Sequence, residues 1–380
     1  MIWAADSSAY VILEHFAANS EETELSSYGM MLWGNLNYNY NEATMGYHKD
    51  GSTYGKSDFS WGFYKTRGWS KPGVVTYMES HDEERLMYKN LTYGNSSGNY
   101  NIKTLETALN RIKLASAFFL TLPGPKMLWK HGELGYDYSI EYNGRLAEKP
   151  IRWNYFQDPL RKKLYKTVQA LLKLRNENEV FRSTETIVDQ QVVYETKKIR
   201  FAHPTMNVVI IGNFDVTTLS IDPNFYHSGY WYDFFSGDSM LISDNNALIE
   251  LLPGEFHIYS DKKLPAPEED ILNSIETPAV KNISDFTLWQ NYPNPFNPVT
   301  TISFQIPGIA DVTLKIFDLL GREVATLIDN RKITGSCTVQ WDGQDSGGHL
   351  LSSGIYIYKI EARTRSKLLF EQSRKMILLK

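Results

Sequence analysis

The sequence predicts an α/β region with a parallel sheet, followed by two antiparallel β modules. Three observations carry this expectation. Short, fully apolar runs at Tyr10–Leu13 and Val74–Met78 fit strands buried on both faces. Amphipathic helical runs lie between such strands. From about residue 180 the helical period gives way to strand patterns punctuated by turn residues.

Taken in order, Met1 stands almost directly before the first strand run. Ser20-Glu21-Glu22 reads as a helix start, with Ser20 as cap and two acids in the first turn. Gly29 ends that helix. Residues 101–122 form the clearest helix, with Leu105, Leu109, Ile112, Ala115 and Phe119 on one face. Pro123-Gly124-Pro125 stops it, and Lys126–Trp129 reads as a further strand. Asp158-Pro159 caps a last helix with apolar positions Leu160, Leu164, Val168, Leu171 and Leu174. Residues 179–261 read as an all-β domain, with strands at 191–194, 208–211 and 248–251. Residues 262–285 are rich in Pro, Glu, Asp, Asn and Ser and read as a linker. Residues 286–380 show period-2 alternation at 300–304, 312–317 and 354–358. Turn signals stand at Leu320-Gly321, Asp342-Gly343 and Ser346-Gly347-Gly348. That pattern predicts an immunoglobulin-like sandwich. No repeat relates the two β modules.

Composition narrows the function. A formal net charge of -5 argues against nucleic acid as the main ligand. Aromatic content is 13%, with 24 Tyr and 9 Trp. Such rings serve either as flat platforms for sugars or as core filler, and composition leaves both open. The single cysteine, Cys337, allows no intrachain disulfide and no Cys-based metal cluster. The eight His show no ligand-like i, i+4 pairing. No apolar run approaches the roughly 20 residues of a membrane helix. The first ten residues lack the basic and apolar regions of a signal peptide.

The chemistry-bearing residues stand at strand ends. The first apolar run ends on Glu14-His15-Phe16, and the second on Glu79-Ser80-His81-Asp82. Barrel enzymes keep their chemistry at the carboxyl ends of parallel strands. Glycoside hydrolysis needs two carboxyl groups flanking the scissile bond. Glu14 and Asp82 are candidates for such a pair, with His81 able to bond a sugar hydroxyl or the neighbouring acid. The alternative is that each acid only caps a strand or a helix. Between Met30 and Trp69 runs a stretch dense in Asn, Tyr, Trp and Gly. His15, Trp33, Tyr38, Tyr40 and Trp61 are candidates for substrate contacts, or the rings pack outer helices. Glu133 faces either a site mouth or the interior.

Tyr10–Phe16, Glu79–Asp82 and Leu122–Trp129 with Gly132-Glu133 occur in an order that resembles the second half of the α-amylase family, glycoside hydrolase family 13. The likeness covers residues 1 to about 261. It implies that residues 1–178 form strands five to eight of a (β/α)8 TIM barrel, and that 179–261 are the antiparallel C-domain. It implies Glu14 as general acid/base and Asp82 as the acid that holds sugar hydroxyls and stabilises the transition state. His81 would bind the same sugar. Ser80 stands where many members have Asn. The resemblance implies a retaining mechanism on an α-glucan or malto-oligosaccharide, and hydrolysis and transglycosylation (branching included) share these residues. The family's nucleophilic Asp lies in a Gly-x-Arg-x-Asp segment on the preceding strand, and no such segment precedes Glu14. The expectation is therefore a fragment with little or no hydrolase activity, truncated ahead of Met1. No cofactor is assigned. The family's calcium ligands would lie upstream as well. A non-catalytic glycan-binding or structural protein is the alternative. An open parallel edge on the first strand would invite aggregation.

The second β module opens on Asn291-Tyr292-Pro293-Asn294-Pro295-Phe296-Asn297-Pro298. Thr300–Phe304, Leu314–Arg322, Val339–Gly343 and Ser352–Tyr358 follow, and the chain ends on the basic, apolar Ser373–Lys380. In that order these motifs resemble the C-terminal sorting domain of type IX secretion. The resemblance implies the secretion machinery as a partner and an extracellular or outer-surface location. An adhesive or plain structural sandwich is the other reading.

Overall fold

The computed structural model describes residues 2–268, 271–272, 286–291, 293–364 and 367–379. The side chains of 307–309, 334–336 and 367 lie outside that description. The chain forms two compact units, Met1–Ile275 and Glu276–Lys380. Most of the expected linker, 269–270 and 273–285, falls outside the described residues. Ile271, inside the expected linker, is buried in the core of the first unit.

The first unit contains a four-stranded parallel sheet. Its strands are β1 (Ile12–Leu13), β2 (Met31–Asn35), β3 (Val74–Tyr77) and β4 (Lys126–Met127), in that spatial order. Leu13 pairs with Leu32, Gly34 with Thr76 and Tyr77 with Met127. Among the described residues six α-helices accompany it: α1 (Ile2–Ala5), α2 (Asn19–Ser27), α3 (Asn37–Met45), α4 (Leu86–Tyr93), α5 (Leu105–Thr121) and α6 (Pro159–Glu177). Helices between successive strands let all four run the same way.

β3 is buried at every position, as its apolar run predicts. β1 departs from expectation. Among the described residues it pairs only with β2, Ile12 is exposed, and Tyr10 is 80% exposed. An apolar run reports affinity for a core, and it does not report how many neighbours a strand has. The expected strand 126–129 stops at Met127, where the chain turns out of the sheet. The cap expected at Ser20 is absent: α2 starts at Asn19 with Ala18 at the cap position and no side-chain cap. Glu22 is instead buried against Arg67 at 2.8 Å. Asp158 does cap α6, accepting from the N–H groups of Leu160 (2.8 Å) and Arg161 (3.3 Å) ahead of Pro159.

α5 was expected to bury one face. It buries nearly its whole circumference from Ala108 to Thr121, because a second layer covers its outer side. That layer is an antiparallel six-stranded sheet ordered 239–242, 229–233, 256–260, 206–213, 196–203 and 187–191. The expected strand at 191–194 ends at Gln191. On the strand Met206–Asn213, Val208 and Ile210 join the core with α5. Val209 and Ile211 join a second core with Trp231, Ile221 and Leu251 on the opposite face. Alternation along one strand thus serves two cores.

Arg111 of α5 stands between these layers, fully buried. It donates to the carbonyls of Ala43 (2.7 Å), Thr44 (2.9 Å), Asp215 (3.1 Å), Asn213 (3.4 Å) and Phe214. Those oxygens end α3 on one side and a β-sheet strand on the other. Buried acceptors left without a donor are costly.

In the second unit the long strand Thr300–Phe317 pairs along its length with Glu323–Trp341. Its other edge takes Thr287–Leu288 near the start and Gly354–Thr364 along the second half. Lys367–Leu378 adds to the outer edge of Gly354–Thr364. Ile302, Phe304, Val312, Leu314 and Ile316 alternate into the core with Trp341, Tyr358, Ile360 and Met376. Asn291 ties the entrance, donating to Thr300 Oγ1 (2.9 Å) and Pro293 O (3.1 Å). Phe296 N donates to Ile377 O (3.0 Å) and Leu379 N to Phe296 O (2.9 Å), so the Asn-Pro segment lies against the last strand.

Replacing Arg111 with Met keeps the volume and removes the donors. We expect the first unit to lose roughly 2–4 kcal/mol, read as a lower urea midpoint at unchanged slope. An unchanged midpoint would mean that the carbonyls find other donors.

Candidate functional site

Parallel strands place their carboxyl ends at one edge of a sheet, so the residues that follow them meet there. Glu14 follows β1, His81 and Asp82 follow β3, and Trp129 follows β4. The His81 Nε2 atom lies 3.7 Å from Glu14 Oε1 and 3.3 Å from Asp82 Oδ2. All three side chains are exposed, and their ligand-type atoms lie within 4.8 Å of one another. Trp33 of β2 meets His81 edge-on at 5.9 Å, and Trp129 meets it tilted at 5.9 Å. The imidazole therefore stands between two carboxylates and two indoles. Two carboxylates with an imidazole between them can give and take a proton and accept bonds from hydroxyl groups. The same atoms form an oxygen–nitrogen donor set that could hold a divalent cation. The spacing along the sequence did not reveal that set, since only the fold assembles it.

The turn bearing His81 and Asp82 is braced from several sides. Glu83 accepts from Asn35 Nδ2 (2.7 Å), Tyr77 Oη (3.2 Å) and Ser80 Oγ. Ser80 thus binds Glu83 within its own turn. Arg85 donates to the carbonyls of Ser80 and Glu83. Asn37 Nδ2 donates to Met78 O and Glu84 O, each at 2.8 Å. Glu84 in turn accepts from Ile140 N (2.9 Å) and Ser139 Oγ (2.8 Å), joining a later loop to the turn.

Glu79 is buried and accepts from Leu86 N at 2.7 Å. Burial pushes its carboxyl up to about 7 against the pull of Arg85, with Glu133 and Glu84 adding to the rise. Gly132 allows its close approach, since a Cβ there would sit 2.8 Å from Glu79 Oε2. Glu133 is half-buried beside it and lines the same small cavity.

The other expected contacts fall elsewhere. His15 bonds Glu21 Oε1 at 2.9 Å, on the first turn of α2, and is not among the cluster's contacts. Tyr38 is exposed on α3 and makes no ring contact with the cluster among the described residues. Tyr40 is fully buried, stacked on Phe59 at 4.5 Å and edge-on to Phe119 at 5.9 Å. No ligand reaches it, so it is a core residue and its expected substrate contact is corrected. Trp61 lies against Arg67 at 5.2 Å. Phe59, Phe63, Tyr64 and Trp69 are likewise buried, so much of the aromatic stretch is core. The sequence pattern marks Trp129 only as part of a strand. Its position just past a strand end, like that of Glu14, is the signal that could have marked it.

Residues 294–366 match the FlgD Ig-like domain family, and the second unit is Ig-like. No curated protein matches the sequence. The crystal structure of an Anoxybacillus alpha-amylase is similar at 15% identity and a TM-score of 0.50, over 70% of this chain and 54% of that one. The Geobacillus thermoleovorans alpha-amylase GTA, complexed with acarbose, is similar at 14% identity and TM-score 0.51, over 68% and 54%. AmyP in complex with maltose is similar at 15% identity and TM-score 0.50, over 68% and 56%. At such identity the likeness is one of fold, and the fold of the first unit is alpha-amylase-like. The chain spans about half the length of these structures.

The raised carboxyl of Glu79 gives a pH prediction. The folded state keeps a proton that an unfolded carboxyl releases near ~4.3. That contribution is full below about pH 4.3 and is lost as pH rises through about 7. Glu79→Gln stays neutral throughout. Its melting temperature should gain on the parent's between pH 5 and 8, by the equivalent of roughly 1–3 kcal/mol. A gap that stays constant over that range contradicts the assignment.

Proposed function

We propose that the first unit binds α-glucan chains at the carboxyl edge of its parallel sheet. The observation that carries this reading is the convergence of Glu14, His81 and Asp82 between two indole faces, in an alpha-amylase-like fold. In this reading Glu14 is the proton donor and acceptor for a glycosidic oxygen. Asp82 and His81 hold the hydroxyls of the sugar whose bond is attacked, and Trp33 and Trp129 offer apolar faces to the rings. Retaining chemistry needs a further carboxylate as nucleophile, in the Gly-x-Arg-x-Asp setting that does not precede Glu14. These 380 residues alone therefore bind and do not turn over.

We assign the second unit a role in export to the cell exterior as a type IX sorting domain. The reading rests on the order of motifs from Asn291 to Lys380 in the sequence. In a host with that secretion system, the full chain should reach the surface or medium, and a chain lacking residues 367–380 should stay inside. Equal export of both would end this assignment.

Affinity electrophoresis in soluble starch, with a reducing-sugar assay alongside, tests the main reading. The chain should be retarded and should release sugar only at background. His81→Ala should weaken retention about tenfold, the loss of roughly 1.4 kcal/mol of binding. Free migration of the parent chain, or turnover in the ordinary enzyme range of about 1–1000 per second, would sink the reading.

A further inference from the structure

The two carboxylates at the sheet edge converge on one atom. His81 Nε2 faces both Glu14 Oε1, at 3.7 Å, and Asp82 Oδ2, at 3.3 Å. A single ring N–H points along one line and cannot serve two oxygens well at once. Without that proton, a nitrogen lone pair and two anionic oxygens face the same point in space. A positive centre at that point relieves all three.

Among the described residues no Lys or Arg pairs with either carboxylate, and His81 is the one basic side chain against them. Arg145 reaches the same turn, but its guanidinium donates to the backbone carbonyl of Asp82 and to Glu141 Oε1 (3.1 Å). The charge of the two acids is therefore left to solvent or to a ligand.

The spacing matches a coordination sphere. Nitrogen and oxygen ligands held about 2.0–2.2 Å from zinc in a tetrahedron stand roughly 3.3–3.6 Å from one another. Two of the three separations, 3.3 and 3.7 Å, already stand at or beside that range. The third lies within 4.8 Å and closes by rotation of exposed carboxylates. Three protein ligands leave the fourth position open to solvent. One imidazole with two carboxylates suits zinc and its transition-metal neighbours, whereas magnesium prefers oxygen and sheds its water reluctantly. The ring is also held before a metal arrives. Trp33 and Trp129 each meet it at 5.9 Å, and Asn37 ties its turn through Met78 O and Glu84 O, each at 2.8 Å. Ligands fixed in advance lose less freedom on binding.

We propose that Glu14, His81 and Asp82 form a site for a divalent transition-metal cation of the zinc class, and that the bound cation excludes glucan from the sheet edge. Cation binding follows from the donor atoms alone. The exclusion rests on the glucan reading of the same three side chains. A bound cation takes the carboxylates and the ring nitrogen that otherwise meet sugar hydroxyls.

Calorimetric titration of the full, chelator-treated chain with zinc chloride tests the site, with His81→Ala, Glu14→Gln and His15→Ala alongside. The parent should take up a zinc ion whose affinity His81→Ala and Glu14→Gln each weaken about tenfold or more. His15→Ala should bind as the parent does, because His15 pairs with Glu21. Magnesium chloride should give no such uptake. The three ligands are exposed, so the variants should melt where the parent does. Affinity electrophoresis in starch, with and without zinc, tests the exclusion. Saturating zinc should weaken the parent's retention about tenfold and change that of His81→Ala no further. Zinc uptake that is equal in the parent and His81→Ala overturns the site, and so does magnesium uptake equal to that of zinc. Uptake through His81 with retention unmoved by zinc overturns the exclusion. A parent chain that takes up zinc through His81 but migrates freely in zinc-free starch removes the glucan reading and the exclusion with it, while the cation site stands.

Discussion

The parallel direction of four strands is the constraint on which the first unit depends. Because β1, β2, β3 and β4 all run the same way, their carboxyl ends share one edge. Glu14 and Asp82, far apart in sequence, become neighbours of His81 for that reason alone. An antiparallel pairing of the same strands would send them to opposite ends. The helices between the strands are what make the parallel order possible. Their packing is therefore a condition of the site, although none of them contributes a side chain to the cluster.

That packing has a polar centre. Arg111 satisfies carbonyls that end α3 and carbonyls at 213–215, where the strand Met206–Asn213 ends, so one side chain ties two layers beside α5. The same sheet buries one face on α5 and the other on its own second core. The exposed members of the cluster stand on this rigid base, and the turn that carries His81 and Asp82 is braced by Glu83, Arg85 and Asn37. The resulting division is an ordered frame with solvent-facing functional groups at its edge, which is how binding sites on strand ends combine precision with access.

Much of this was legible in the sequence. The strand β3, the cap at Asp158, the long helix α5 and the alternation in the second unit follow from local patterns, and the structure has them. The strand-end acids were legible because their chemistry depends on where strands stop. What failed depends on neighbours that local pattern does not name. Tyr40 and Trp33 look alike in a string of aromatic residues, but α3 turns Tyr40 into the core while β2 leaves Trp33 beside His81. His15 adjoins Glu14 in sequence and points to Glu21 in space. The exposure of β1 follows from having one neighbour among the described residues, a property of the sheet. Trp129 and Trp153, far apart in sequence, line one concavity, where Lys130 and Tyr136 donate to the carbonyls of Lys149 and Pro150.

The central claim is that sugar binds where His81 stands between Glu14 and Asp82. Nuclear magnetic resonance of the chain labelled at its histidines, titrated with maltose, tests it most directly. The imidazole signals of His81 should shift with a saturable dependence on sugar, while those of His15 stay fixed. Saturable binding that leaves His81 unmoved would contradict the account.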